Sequence, residues 1–339
     1  MVKNYIGIAA RNLWKQKLFS FVNIFGFAIG LTVSFIIVLY VQFELSYDQV
    51  HQNKDQLYRV LRQSDINGTP YDIGVTSGPY AQALRNDFPE SITDVVRVMP
   101  ADGLVTYGNK TFLEKQFFLA DKNFFQVFSF PLRHGDPANV LELPNSIVLT
   151  PKIARKYFGE SDPLGKVLKL DNRWDFMVTG VMEQDPTRTH LDFDFVASIE
   201  VLSNYDWFND WWSNGLITYA IIPNPEEAVR VESQLTGFMD KYFGEDFKKS
   251  GNRIGLTLQP FSDIYFEKDV RYDRVLHGDK NTVMMFAAVA LFILVIACIN
   301  FMNLATARAG RRAKEISVSA KYLAPCGRSL CCSFYLNRS

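Results

Sequence analysis

Between residues 42 and 282 the chain has no cysteine; its four cysteines are Cys298, Cys326, Cys331 and Cys332. About 240 residues without a disulfide must hold together by core packing, and that length suffices. Charge is missing from two further stretches. Residues 18–41 (LFSFVNIFGFAIGLTVSFIIVLYV) and 283–307 (VMMFAAVALFILVIACINFMNLATA) contain no Asp, Glu, Lys or Arg. At 1.5 Å per residue each makes a helix of about 36 Å, enough to cross a hydrocarbon layer of about 30 Å with some tilt. Overall charge is absent too, with 36 basic against 36 acidic residues.

That neutrality hides a segregation. Lys3, Arg11, Lys15 and Lys17 precede the first apolar stretch without an acid, and seven basic residues follow the second against Glu315 alone. The remainder holds 25 basic and 35 acidic residues. Basic residues near span ends stay in the cytoplasm. Both termini are therefore expected inside and residues 42–282 outside. An acidic domain facing away from the cytoplasm fits poorly with nucleic-acid binding. The first apolar run is too long for a signal-peptide core and no A-x-A-like site follows it, so it reads as an uncleaved anchor.

Residues 1–17 read as a basic amphipathic helix on the inner membrane face, with Val2, Ile6, Ala9 and Leu13 on one side and Trp14 near the headgroups. The plainer alternative is the first turns of the span itself. The outer stretch opens with strand-like Leu57-Tyr58-Arg59-Val60-Leu61, a helix from Pro79 to Phe88 and a strand over 92–98. Near its far end come a strand over 217–222, a helix begun by Asn224-Pro225-Glu226-Glu227 and a strand over 254–258. The pattern predicts a membrane protein in which two transmembrane helices flank an α+β extracytoplasmic domain of split β-α-β units. A membrane-proximal subdomain (44–100 and 214–280) would carry a β-rich inserted subdomain (101–213). One short helix in the insert should start at Thr150-Pro151 and stop at Gly159. The second span would end at 307, leaving 308–339 as a cytoplasmic tail.

Gly26, Gly30 and Ser34 recur every four residues, a spacing that lets another helix approach closely, although glycine is common in membrane helices. Asn23, Asn300 and Asn303 lie at similar depth if the spans are antiparallel, and should face a helical partner, either each other or helices of a larger assembly.

Residues 103–111 (GLVTYGNKT) nearly spell a phosphate loop, but Asn109 separates the last glycine from Lys110, so a hairpin turn at Gly108-Asn109 is expected. His51, His134, His190 and His277 lack metal-ligand spacing; His190, Asp192 and Asp194 could chelate a cation, but an alternating strand over 190–194 explains them more simply. No catalytic residue, cofactor site or metal site is indicated. The insert is rich in aromatics, mostly expected in the core. Trp207, Phe208, Trp211 and Trp212 are too dense for that and form a candidate periplasmic contact.

Together several motifs resemble a family. Ile8 to Leu13, Asn23 to Leu31, Asp55-Gln56-Leu57-Tyr58-Arg59-Val60, Asp121 to Phe130, Lys156-Tyr157-Phe158-Gly159, Asp162 to Lys166 and Asn300 to Ile316 resemble the permease subunit of a MacB-like, FtsX-type ABC transporter, of the kind common in Bacteroidetes-type bacteria. The resemblance covers about residues 1–316. It implies an inner-membrane, multi-pass protein, not itself an enzyme, acting in export or mechanotransmission. It further implies a separate cytoplasmic ABC ATPase, pairing with a second permease copy, contact with membrane lipid and a periplasmic partner. Arg308, Arg311, Arg312, Lys314 and Glu315 would form the cytoplasmic coupling face. After Ile316 the sequence departs from the family pattern, as a frameshift or truncation after the second span would produce. The alternative is a two-span anchored sensor or regulator that binds an extracytoplasmic ligand or enzyme without transport. Nothing in the outer domain marks a substrate.

Overall fold

The computed structural model describes residues 17–66, 69–249 and 253–323. In chain order these form helix α1 (Lys17–Leu45), strands β1 (Leu57–Ile66), β2 (Thr69–Ile73) and β3 (Thr76–Ser77), and helix α2 (Pro79–Asp87). Next come β4 (Asp94–Tyr107), β5 (Lys110–Ala120), α3 (Phe124–Val127), β6 (Leu132–His134), β7 (Ser146–Leu149), α4 (Pro151–Phe158), β8 (Val167–Leu170) and β9 (Trp174–Met182). The chain continues through β10 (Phe195–Ser198), β11 (Asn214–Ile221), α5 (Pro225–Lys249), β12 (Arg253–Pro260), β13 (Val270–Arg271) and α6 (Lys280–Leu323). Two compact units result: the α1 and α6 helices, and the domain Phe43–Lys280.

Both terminal helices are long and apolar enough to cross a membrane, over Ile24–Leu45 and Lys280–Asn303. Helix α6 continues past the apolar stretch. It runs to Leu323, because residues 308–323 are mostly good helix formers and the first proline after them is Pro325. The expected amphipathic helix at the amino end, apart from Lys17, and the tail from 324 onward lie outside the described residues.

In the domain, β1 runs antiparallel to β11, with Leu57 opposite Ile221, and to β12, with Tyr58 opposite Pro260. β11 is in turn antiparallel to β4, with Ile217 opposite Val98. The local order is β12-β1-β11-β4. β1 and β4 are thus parallel with β11 between them, joined through α2; β11 and β12 are parallel with β1 between them, joined through α5. These are the two split β-α-β units, interleaved. Their helices share one face, where Tyr80, Leu84, Val231, Leu235 and Phe238 pack on Val60, Val95, Ala220 and Leu256. The helix signals act as read. Asn224 Oδ1 accepts from the Glu226 N–H at 2.9 Å, and Thr150 caps α4, whose end is marked by Gly159 at φ +63°.

The sheet does not end at β4. That strand pairs with β5 from Val98 onward, bulges between Ala101 and Gly103, and beyond the bulge also pairs with β8. Beyond β5 the sheet proceeds through β10, β7, β9 and β6. The boundary expected at residue 101 falls on this bulge, within one strand that both halves share. Apolar residues from the insert fill the sheet's other face. Phe118, Phe124, Phe128, Phe130 and Phe193 pack there with Val96, Ile217 and Phe261.

Candidate functional site: a buried polar joint

Strand β1 has an apolar phase formed by Leu57 and Leu61, and Arg59 sits between them in the same phase. Arg59 is fully buried. Its register partners are Tyr219 on β11 and Gln259 on β12, so three polar side chains form one row across adjacent strands. A buried guanidinium needs compensation, and Nε and one terminal nitrogen have it, while the other terminal nitrogen has no hydrogen-bond partner among the described residues. Its Nε donates to Gln259 Oε1 at 2.8 Å and its terminal nitrogen meets Asp273 Oδ2 at 2.8 Å. His277 Nε2 lies 3.2 Å from the same carboxylate. Asp273 and His277 belong to the segment leading out of the domain toward α6.

A second set of contacts reaches the row from the segment leading in. Asp48 Oδ1 accepts from Thr189 Oγ1 and from the His190 backbone N–H, both at 3.0 Å, and lies 2.9 Å from His190 Nδ1. His190 Nε2 then meets the Tyr219 hydroxyl at 2.9 Å. Next to it, His51 Nδ1 accepts from the Ser129 N–H, so its Nε2 carries the proton and donates to Thr189 Oγ1 at 3.4 Å. The His51 ring stands edge-on to Phe128, Phe130 and Phe261.

Backbone bonds close the joint. Asp48 N–H donates to Arg188 O at 2.8 Å, and Leu276 N–H donates to His190 O at 3.2 Å. Tyr265 is wedged between the incoming and outgoing segments. Its ring stacks on Tyr47 at 3.7 Å, its hydroxyl donates to Glu44 Oε2 at 3.0 Å, and its carbonyl accepts from Gly278 N–H. A methyl at Gly278 would come within 2.2 Å of the Tyr265 ring, so this approach requires glycine. Three non-glycine residues here adopt left-handed backbone: Asp48 (φ 60°), Arg188 (φ 54°) and Tyr272 (φ 53°).

Burial works against the charge on Asp48, but the neighbouring His190 and the bonds from His190 and Thr189 outweigh it and hold the carboxyl below its usual range. Asp273 shows the same balance: burial is overcome by His277 and Arg59. Burial drives His51 down to about 4, which keeps it neutral at physiological pH. Burial also pushes the Tyr219 phenol up, so it stays protonated.

No spacing in the sequence marks this joint, because His51, His190 and His277 are scattered along the chain. The segment 190–194 is not a strand; the ladder begins only at Phe195, and the His190 N–H goes to Asp48 rather than to a neighbouring strand. One signal was available: a charged Arg59 in phase with Leu57 and Leu61. Among the described residues no group of three or more His, Cys, Asp and Glu is placed to hold a metal ion. Beside His190 a cleft of about 420 Å³ opens, rimmed by Asp102, Lys115, Gln116, Asp192 and Arg274.

The other candidate residues fall as follows. In the helix pair, a methyl at Gly30 would lie 3.2 Å from Ala297 Cβ and one at Gly26 would lie 3.8 Å from Asn300 Nδ2. Ser34 Oγ donates to Ala290 O at 3.3 Å. Asn303 is exposed within this chain. Asn23 lies in α1, and Arg308, Arg311, Arg312, Lys314 and Glu315 lie along α6. The aromatic cluster divides. Phe208 is core, with the Arg97 guanidinium 5.0 Å from its ring centre. Trp211 packs against Tyr80 and Tyr242. Trp207 and Trp212 remain 42% and 56% exposed. Gly108-Asn109 forms the hairpin turn between β4 and β5, and Lys110 Nζ donates to the Lys156 and Tyr157 carbonyls at the end of α4.

The family model for the MacB-like periplasmic core domain matches residues 20–237, and the chain belongs to that family. No curated protein sequence matches it. Among solved structures, a domain of a putative permease protein from Porphyromonas gingivalis is similar, with 20% identity and a TM-score of 0.53, covering 69% of this chain and 97% of that one. The periplasmic region of MacB from Actinobacillus actinomycetemcomitans gives 17% identity and a TM-score of 0.45, covering 62% and 91%. The extracellular domain of the noncanonic ABC-type transporter YknZ from Gram-positive bacteria gives 12% and 0.44, covering 60% and 99%. The chain is therefore an ABC-type permease component of the inner membrane that carries a periplasmic domain. Permeases of this family work with cytoplasmic ABC ATPases.

Proposed function

We propose that this chain is the permease subunit of an export or mechanotransmission complex, coupling a separate cytoplasmic ATPase to its periplasmic domain. The family match carries this reading. The joint supports it: both segments that connect the domain to the apolar helices are fastened to the domain by buried polar contacts. Both termini face the cytoplasm, as the basic flanks argue. Arg308, Arg311, Arg312, Lys314 and Glu315 on α6 then form the face toward the ATPase, and two permease copies act as a pair. Tagged full-length protein, extracted in mild detergent after crosslinking, is expected to bring down an ABC ATPase subunit. Recovery without any ATPase, at native expression, would leave the anchored sensor standing instead.

A further inference from the structure

The joint gathers three segments that are distant in sequence: 44–52 leading in, 188–190 from the insert, and 272–278 leading out. Each reaches buried partners through its own polar group: Asp48, His190 and Asp273. All converge on the row Gln259-Arg59-Tyr219 across three adjacent strands. Left-handed backbone recurs in each segment, at Asp48, Arg188 and Tyr272. Asp tolerates left-handed backbone, but Arg and Tyr have no side-chain reason to adopt it. The contacts therefore hold the three segments in conformations they would leave if released. Clustered strain of this kind marks elements with two arrangements rather than a graded response.

We propose that this joint is a coupling latch. While the Asp48–His190–Tyr219 and Gln259–Arg59–Asp273 contacts hold, a displacement of either connecting segment carries the other, and the insert loop at 188–190, with it. When one contact opens, strain at Arg188 and Tyr272 and the shared contacts favour release of all three segments together. This rests on the permease reading for its purpose but not for its existence, since the latch is a property of the chain alone. Asp48, His190, Tyr219, Arg59 and Asp273 act as positioning residues; none is assigned contact with a substrate.

The test is hydrogen–deuterium exchange on the full-length chain in lipid nanodiscs, comparing wild type with Asp273→Asn and Asp48→Asn. Each variant removes one charge and keeps the side chain's shape. Opening at one end is expected to speed exchange about tenfold in segments 46–52, 188–192 and 272–278 alike, the scale for losing one charged hydrogen bond. Acceleration confined to the segment that carries the substitution would overturn the latch. If either variant fails to fold, Tyr219→Phe removes only the hydroxyl that His190 meets and is read by the same three segments. An ATPase that co-purifies while exchange stays local defeats the latch and leaves the permease reading intact. Concerted exchange without an ATPase does the reverse.

Discussion

Arg59 and Asp273 stand 214 residues apart in the chain and meet with their side chains 0% and 5% exposed. One comes from near the start of a central strand, the other from the segment that leads to α6. Desolvating both is costly, and breaking such a pair by removing one partner leaves an uncompensated buried charge. Arg59→Met is therefore expected to destabilise the domain by about 3 kcal/mol or more. Arg59→Met combined with Asp273→Asn should recover part of that loss, read by denaturant unfolding of the full chain. Strict additivity of the two substitutions would refute the pairing.

His51 gives the stability a pH dependence with a definite sign. Its folded value of about 4 lies below the ordinary 6.5. Between those values the unfolded chain binds a proton that the folded one refuses. The His51 contribution is complete above about pH 6.5, falls by about 1.4 kcal/mol per unit as pH drops, and levels off near pH 4. Asp48 and Asp273, held below their ordinary 3.8, add a further loss only at lower pH. Melting temperatures between pH 7 and 4 should fall less steeply in His51→Phe, whose ring fits among Phe128, Phe130 and Phe261. Parallel slopes would contradict the assignment.

The helix pair distinguishes its two glycines. A methyl at Gly26 meets Asn300 at ordinary contact distance, whereas one at Gly30 presses on Ala297 at 3.2 Å. Gly26→Ala is expected to leave the pairing of α1 and α6 intact. Gly30→Leu should separate it, lowering disulfide yield between cysteines introduced at Phe27 and Phe301, whose rings lie 5.6 Å apart. Equal yields in both variants would mean that Gly30 is not a packing position.

Phe208 and Trp212 are four residues apart and should respond oppositely. Phe208→Ala opens a cavity in the core and is expected to cost about 3–5 kcal/mol. Trp207→Ala and Trp212→Ala should change unfolding by much less, while weakening capture of a periplasmic partner if this surface binds one. A large stability loss from Trp207→Ala would place that ring in the core instead.

Much of the architecture was legible along the chain because its signals are local. Uncharged apolar runs mark both spans, Asn224-Pro225 and Thr150-Pro151 start helices where capping requires, and Gly108-Asn109 turns the β4–β5 hairpin. The split β-α-β order follows from the alternation of such segments. Helix α6 outran its apolar stretch because hydropathy reports lipid preference, whereas helix length is set by where a breaker falls. The cluster at 207–212 divided because a six-residue window shows density, not which ring faces inward.

The joint lay outside that reach. Residues 48, 59, 190, 219, 259 and 273 have no common spacing, and each alone is an ordinary polar residue. Sequence by itself determined which segments would be apolar, where helices start, and that two spans bracket a cysteine-free domain, since those depend on neighbours within a few residues. Only the tertiary structure decided that strand register puts Tyr219 and Gln259 on either side of Arg59, and that one connecting segment reaches that row directly through Asp273 and the other by way of His190. A buried charge is tolerated only where distant partners arrive to compensate it, and their arrival is a property of the closed fold.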